Sequence, residues 1–97
     1  MSDHGWHLYL IRCRDNSLYT GITKNVSRRL EEHRSGNRKG AKYLRGKAPL
    51  TLVWQHQAES QSDALKLELR IKKFSKYDKE RLISGQLSLE SLETPER

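Results

Sequence analysis

Five residues have the types and spacing to do chemistry together: Tyr9, Tyr19, Arg29, His33 and Glu68. Tyr19 opens the stretch YTGITKNVSRRLEEH, which reads as a strand end, a tight glycine turn, a capped helical turn and a short helix. Arg29 and His33 are four apart in that helix and so share a face. A guanidinium fork suits the equatorial oxygens of a phosphodiester in its transition state, where negative charge grows. An imidazole one turn on can orient or deprotonate a hydroxyl or a water. A phenol, with a pKa of about 10, is a poor base unless a cation or metal lowers it. A tyrosine pair, a cation, an imidazole and one carboxylate are the components of metal-assisted phosphodiester cleavage.

Each component also has a plainer explanation. Arg29 and His33 can be a solvated basic helix face, with Glu32 partnering nearby cations, and strand tyrosines usually pack a core. Glu68 is the sharpest anomaly. At about 100° per residue it lies within roughly 60° of Ala64, Leu65 and Ile71, on or beside the apolar face of its helix. A carboxylate placed there needs a partner. Lys72, one turn later, could supply an exposed ion pair of about 0.3–0.5 kcal/mol. The other candidate is a hard cation, since magnesium takes one or two carboxylates and keeps waters for substrate phosphates.

The surrounding elements decide whether these groups meet. Residues 6–13, WHLYLIRC, are apolar on both alternating faces, with Trp6, Leu8 and Leu10 on one and Tyr9, Ile11 and Cys13 on the other. That pattern predicts a central strand covered on both sides. Arg14-Asp15-Asn16-Ser17 supplies turn residues, and Leu18 to Thr23 completes an antiparallel hairpin. Such a hairpin could bring Tyr9 and Tyr19 together on one face, with Gly21 removing a side chain beside Tyr19. Asn25 caps a helix over 26–35 that ends near Gly36, with Val26 and Leu30 as its buried stripe. A basic loop, NRKGAKYLRGK, fills 37–47. A third strand over 50–56 follows Pro49. A second helix, capped by Ser60 or Ser62, runs to about Phe74, and a third covers 76–84 before Gly85. The expected organisation is a single domain over 1–85 and a loosely held polar tail over 86–97.

The 97 residues carry a formal net charge of +7 and a sequence pI of about 9.8, which suggests a polyanionic partner. Residues 1–47 hold eleven Lys/Arg against four Asp/Glu, whereas 48–97 hold eight of each, so the excess sits in the half containing Arg29 and His33. Arg28, Arg34, Arg38, Lys39, Lys42 and Arg45 form the expected phosphate-contacting set, which positions the duplex and carries little sequence information. Cys13 is the one cysteine, so no internal disulfide can form and the thiol reads as a small core hydrophobe. His4, His7 and His56 lack zinc-ligand spacing with one another or with Cys13. Trp6 and Trp54 read as core rather than base-stacking platforms. No apolar run reaches the roughly 18 residues of a membrane span, and the start of the chain lacks signal-peptide character. A cytoplasmic protein is expected.

In combination these residues resemble the GIY-YIG nuclease domain, and in particular the small stand-alone bacterial (YhbQ-type) members of that superfamily. The first motif corresponds to His7-Leu8-Tyr9, with His7-Leu8 where the family has Gly-Ile, and the second to Tyr19-Thr20-Gly21. Arg29 and His33 stand where the family has a catalytic arginine and a following His or Tyr. Ala64-Leu65-Lys66-Leu67-Glu68, followed by Ile71-Lys72-Lys73, matches the helix bearing the family's metal-binding glutamate. No asparagine follows Asn37, although many family nucleases carry a late one.

The resemblance covers about residues 6–83 and implies an α/β domain of α+β type, a three-stranded antiparallel sheet flanked by helices. It implies a metal-dependent DNA endonuclease with Glu68 holding one Mg²⁺ or Mn²⁺. Tyr9, Tyr19, Arg29 and His33 would be catalytic, Gly21 structural, and either tyrosine could be the base. The expected partner is DNA, cut with low sequence specificity and expected in branched, nicked or single-stranded form, met by a monomer with DNA repair or structure-specific cleavage as the role. A non-catalytic DNA- or RNA-binding module on the same scaffold is the alternative, and an adaptor within a larger complex a third reading.

Overall fold

Seven short elements make up the computed structural model, which describes residues 5–35 and 40–89. Strand β1 (Trp6–Arg12) leads through a turn to β2 (Leu18–Thr23) and then to helix α1 (Val26–Ser35). A 3₁₀ turn (Lys42–Leu44) precedes β3 (Thr51–Ala58), and α2 (Gln61–Lys72) and α3 (Lys76–Ser84) follow. The sheet is antiparallel throughout, in the order β2-β1-β3, so the doubly apolar strand β1 is central. This is the α+β arrangement expected of the sequence.

The two faces of β1 build two cores. Leu8 and Leu10 pack with Ala58, Ala64, Leu67, Ile71 and Leu82 beneath α2 and α3, with Trp6 and Trp54 partly buried at the margin. Tyr9, Ile11 and Cys13 pack with Leu44 and Leu50 on the opposite face, where Tyr19, Leu30 and Ala41 close over them. Leu8, Leu10 and Ile71 are wholly buried, and such burial contributes about 1.5–3 kcal/mol per side chain. Cys13 is thus a free, buried core thiol.

Local sequence accounts for most boundaries. In the β1–β2 turn Asn16 takes a positive φ of 71°, tolerable for a short polar side chain, while Asp15 Oδ1 accepts from the Ser17 backbone and hydroxyl. Asn25 Oδ1 accepts the Arg28 N–H at 3.0 Å and starts α1. Ser60 caps α2 and Ser75 caps α3 in the same way, each accepting from an Asp N–H three residues on. Arg12 forks onto Glu80 at 2.7 and 2.8 Å, tying α3 to the end of β1 and holding the Glu80 carboxyl at about 2.

Several expectations are corrected by packing. The third strand runs over 51–58 rather than 50–56. The basic loop is interrupted by the 3₁₀ turn, because Leu44 needs burial against β1. Leu65 is not on the apolar face of α2; Ala64, Leu67 and Ile71 are the buried residues and Leu65 faces solvent. The stretch expected to be loose from residue 86 carries Leu89, which inserts into the core beneath α2 and α3. The expected helix stop at Gly36 lies outside the described residues.

Candidate active site

Tyr9 leaves the middle of β1 toward α1 and is only 2% exposed. Its cross-strand neighbour on β2 is Gly21, and a β-carbon there would stand 2.6 Å from the phenol Cζ. The missing side chain therefore makes room for Tyr9, not for Tyr19 as the strand pattern suggested. Tyr19 pairs with Ile11 two residues along, and its ring centroid lies 6.4 Å from that of Tyr9. The hairpin thus delivers both tyrosines to one face.

Helix α1 supplies the polar groups from its inner side. Its one buried residue is His33, 3% exposed, while Val26 and Leu30 are only half covered. His33 Nε2 lies 2.9 Å from Tyr9 Oη, and the imidazole is 5.7 Å from the Tyr19 ring in an edge-on arrangement. The Ala41 backbone N–H donates to His33 Nδ1 at 3.0 Å. A backbone N–H can only donate, so Nδ1 carries a lone pair and the neutral ring bears its proton on Nε2. His33 is therefore the donor in its bond to Tyr9. Gly40 permits this, since a β-carbon at that position would meet the His33 Cα at 3.1 Å and the Glu32 carbonyl at 2.8 Å. Sequence reasoning missed Gly40-Ala41, and only close approach of the loop to α1 reveals it.

Arg29, one turn before His33, hydrogen-bonds the Tyr9 phenol and is paired with Glu32 Oε1 at 2.8 Å. Burial pushes the His33 pKa down from 6.5 to about 4, the Arg29 charge adds to this, and Glu32 opposes it. The Tyr9 phenol is pushed up to about 12, chiefly by burial and then by Tyr19 and Glu68, while the Arg29 hydrogen bond and charge pull it down. Tyr9 Oη is thus a phenol facing two donors, Arg29 and His33, that would favour its anion.

Glu68 enters from α2, which packs on β1 and β2. Its side chain is 15% exposed and bonded to Lys72 Nζ at 3.3 Å, so the ion pair expected from spacing is formed. Its charge also acts on Tyr9. Among the described residues no three His, Cys, Asp or Glu side chains gather as a ligand cage. A single, mostly buried carboxylate is compatible with Mg²⁺ or Mn²⁺, which can take one protein carboxylate and keep waters and phosphate oxygens as their other ligands.

The basic set divides. Arg28 is 73% exposed and Lys42 and Arg45 face solvent. Arg34 does not join them, because its guanidinium donates twice to the Leu50 carbonyl, at 3.0 and 3.3 Å, and holds α1 to the segment before β3. Arg38 and Lys39 lie outside the described residues. No helix among the described residues is long and apolar enough to cross a membrane.

A three-stranded antiparallel sheet presenting two tyrosines to an arginine and a histidine on the following helix defines a class. The family model described as the GIY-YIG catalytic domain matches residues 5–81, and the chain belongs to this nuclease family. Within it the chain is similar to UPF0213 proteins. That of Cronobacter sakazakii is 54% identical, covering 92% of both chains, and that of Yersinia pestis 56% identical, covering 89% of this chain and 88% of the other. Two solution NMR structures share the fold. The UPF0213 protein BH0048 from Bacillus halodurans is 41% identical with a TM-score of 0.53, over 82% of this chain and 83% of that one. The protein EF2693 from E. faecalis is 33% identical with a TM-score of 0.60, over 96% and 93%.

Proposed function

We propose that the chain is a metal-dependent endonuclease that hydrolyses DNA phosphodiester bonds with low sequence specificity, in repair or structure-specific cleavage. The observation that carries this reading is the Tyr9 hydroxyl, buried between Arg29 and His33 with the Glu68 charge acting on it. A purely binding surface has no use for a buried phenol held by two donors, nor for a mostly buried carboxylate amid cations.

The geometry supports the following roles. The base is the minor Tyr9 phenolate, favoured by Arg29 and by the Nε2–H of His33 against the burial that pushes its pKa up to about 12, its hydroxyl proton having passed to solvent before substrate binds. The phenolate then takes a proton from the water that attacks phosphorus, and the bond to the leaving oxygen breaks in line. His33 orients and donates; its lone pair is held by Ala41, so it is not the base. The Arg29 charge also faces the phosphate, whose negative charge grows in the transition state. Tyr19 packs on both Tyr9 and His33 and fixes their rings. Glu68 would hold a divalent Mg²⁺ or Mn²⁺, which would supply Lewis-acid stabilisation of the negative charge that grows during cleavage.

The test is cleavage of labelled linear, branched, nicked and single-stranded DNA in Mg²⁺ or Mn²⁺. Glu68→Ala and EDTA should each abolish cleavage, with DNA binding by the variant within about threefold of wild type, since the basic surface carries the affinity. A Glu68→Ala protein that cuts like wild type would remove the metal assignment. Well-folded wild type that binds DNA without cutting would leave the non-catalytic binding module. A single duplex sequence cut alone would overturn low specificity.

A further inference from the structure

Sharing Tyr19 with the Tyr9–His33 cluster is a groove of about 330 Å³ lined by Leu18, Tyr19, Thr20, Tyr43, Lys72 and Lys79. Its walls differ in chemistry. One is aromatic: Tyr43 stacks on Tyr19, with ring centroids 5.9 Å apart and an interplanar angle of 20°. The other carries two ammonium groups, from the end of α2 and from α3. Thr20 Oγ1, on the strand between them, is buried without a hydrogen-bond partner.

Tyr43 is unexpected where it stands. The 3₁₀ turn buries Leu44 and turns Tyr43 outward, leaving it 47% exposed. The Lys47 ammonium lies 4.1 Å from the ring centroid and is tethered to Asp15 at 3.3 Å. An exposed aromatic beside one cation, in a groove with two further lysines, combines aromatic surface with backbone neutralisation, the features by which proteins hold unpaired nucleic-acid strands. A volume of this order is that of a site for one group of about nucleotide size.

We infer that this groove is a subsite for an unpaired nucleotide adjacent to the scissile phosphate, with Tyr43 and Tyr19 packing the base or sugar and Lys72 and Lys79 holding its phosphate. The inference rests on the nucleic-acid reading of the site but not on cleavage. It makes a frayed, nicked or branched strand the preferred substrate, because a paired base must first be unpaired and unstacked to enter.

Binding in EDTA separates the two readings, since cleavage is then silent. The probes are fluorescent oligothymidylate, oligouridylate and a blunt duplex of matched length, with thermal melts checking that each variant folds. Wild type should bind the unpaired strand tighter than the duplex. Tyr43→Ala should weaken unpaired-strand binding roughly tenfold with the duplex little changed, and Tyr43→Phe should restore it. Lys79→Gln should weaken it and flatten its salt dependence. Loss on the deoxy strand, the ribo strand or both supports the subsite and identifies the sugar it accepts. Tyr43→Ala binding the single strand like wild type, or losing strand and duplex equally, would overturn it. So would wild type binding no oligonucleotide. Unpaired-strand binding that depends on Tyr43 in a protein that never cuts would sink the nuclease and leave the subsite standing.

Discussion

The tautomer of His33 is decided by a single backbone group. Ala41 N–H occupies Nδ1, so protonating the ring sets two N–H groups against each other, and burial beside Arg29 penalises the cation further. The consequence can be measured without any substrate. Because the pKa is about 4 folded and 6.5 unfolded, the unfolded chain binds the proton more readily in between. The associated stability is complete above about pH 6.5 and is lost as pH falls toward about 4, on the order of 3 kcal/mol in all. Thermal melts from pH 7 to about 4 should therefore fall more steeply for wild type than for His33→Gln. Parallel curves would mean that His33 is solvated rather than clamped.

At the scale of the elements, register is what assembles the cluster. A slip of one residue between β1 and β2 would turn Tyr19 to the opposite core and put a side chain where Gly21 accommodates Tyr9. Gly21→Ala tests this pairing. The added methyl collides with the Tyr9 ring rather than with open space, so the strand or the ring must move. A loss of about 1–3 kcal/mol is expected from overpacking, read by urea denaturation. Activity should fall by more than the unfolded fraction explains, because the phenol shifts away from His33. Unchanged stability and unchanged cleavage would show that the close approach has no consequence.

Across the whole molecule, charge is the organising quantity. The protein is a slab of 44 × 35 × 18 Å, and α1, which carries Arg28, also carries Arg29 and His33 of the candidate site. Arg28, Lys42 and Arg45 remain available, whereas Arg12 and Arg34 are spent within the fold. Replacing Arg28, Lys42 and Arg45 together by Gln should weaken DNA binding and reduce the slope of log K against log salt by about 2 to 3. Arg34→Gln should instead lower the melting temperature, since it removes two bonds to the Leu50 carbonyl. An Arg34 variant that changed only the salt slope would return it to the phosphate set.

Some of this was legible in the sequence for physical reasons. Alternation along WHLYLIRC requires a two-sided central strand, because apolar side chains on both faces need cover. Asn25 and Ser60 mark helix starts through local hydrogen bonding, and four-residue spacing alone pairs Glu68 with Lys72 and sets Arg29 beside His33. Charge asymmetry is pure counting. What depended on distant segments meeting was not legible. Whether Gly21 serves Tyr9 or Tyr19 is a matter of strand register, and which nitrogen of His33 holds the proton depends on a loop eight residues away. Arg34 could not be told from Arg28 until Leu50 was in place, and Tyr43 gained significance only by stacking on Tyr19. Periodicity and capping act within a few residues and can be read along the chain; proton positions, engaged cations and grooves arise from contacts that only folding creates.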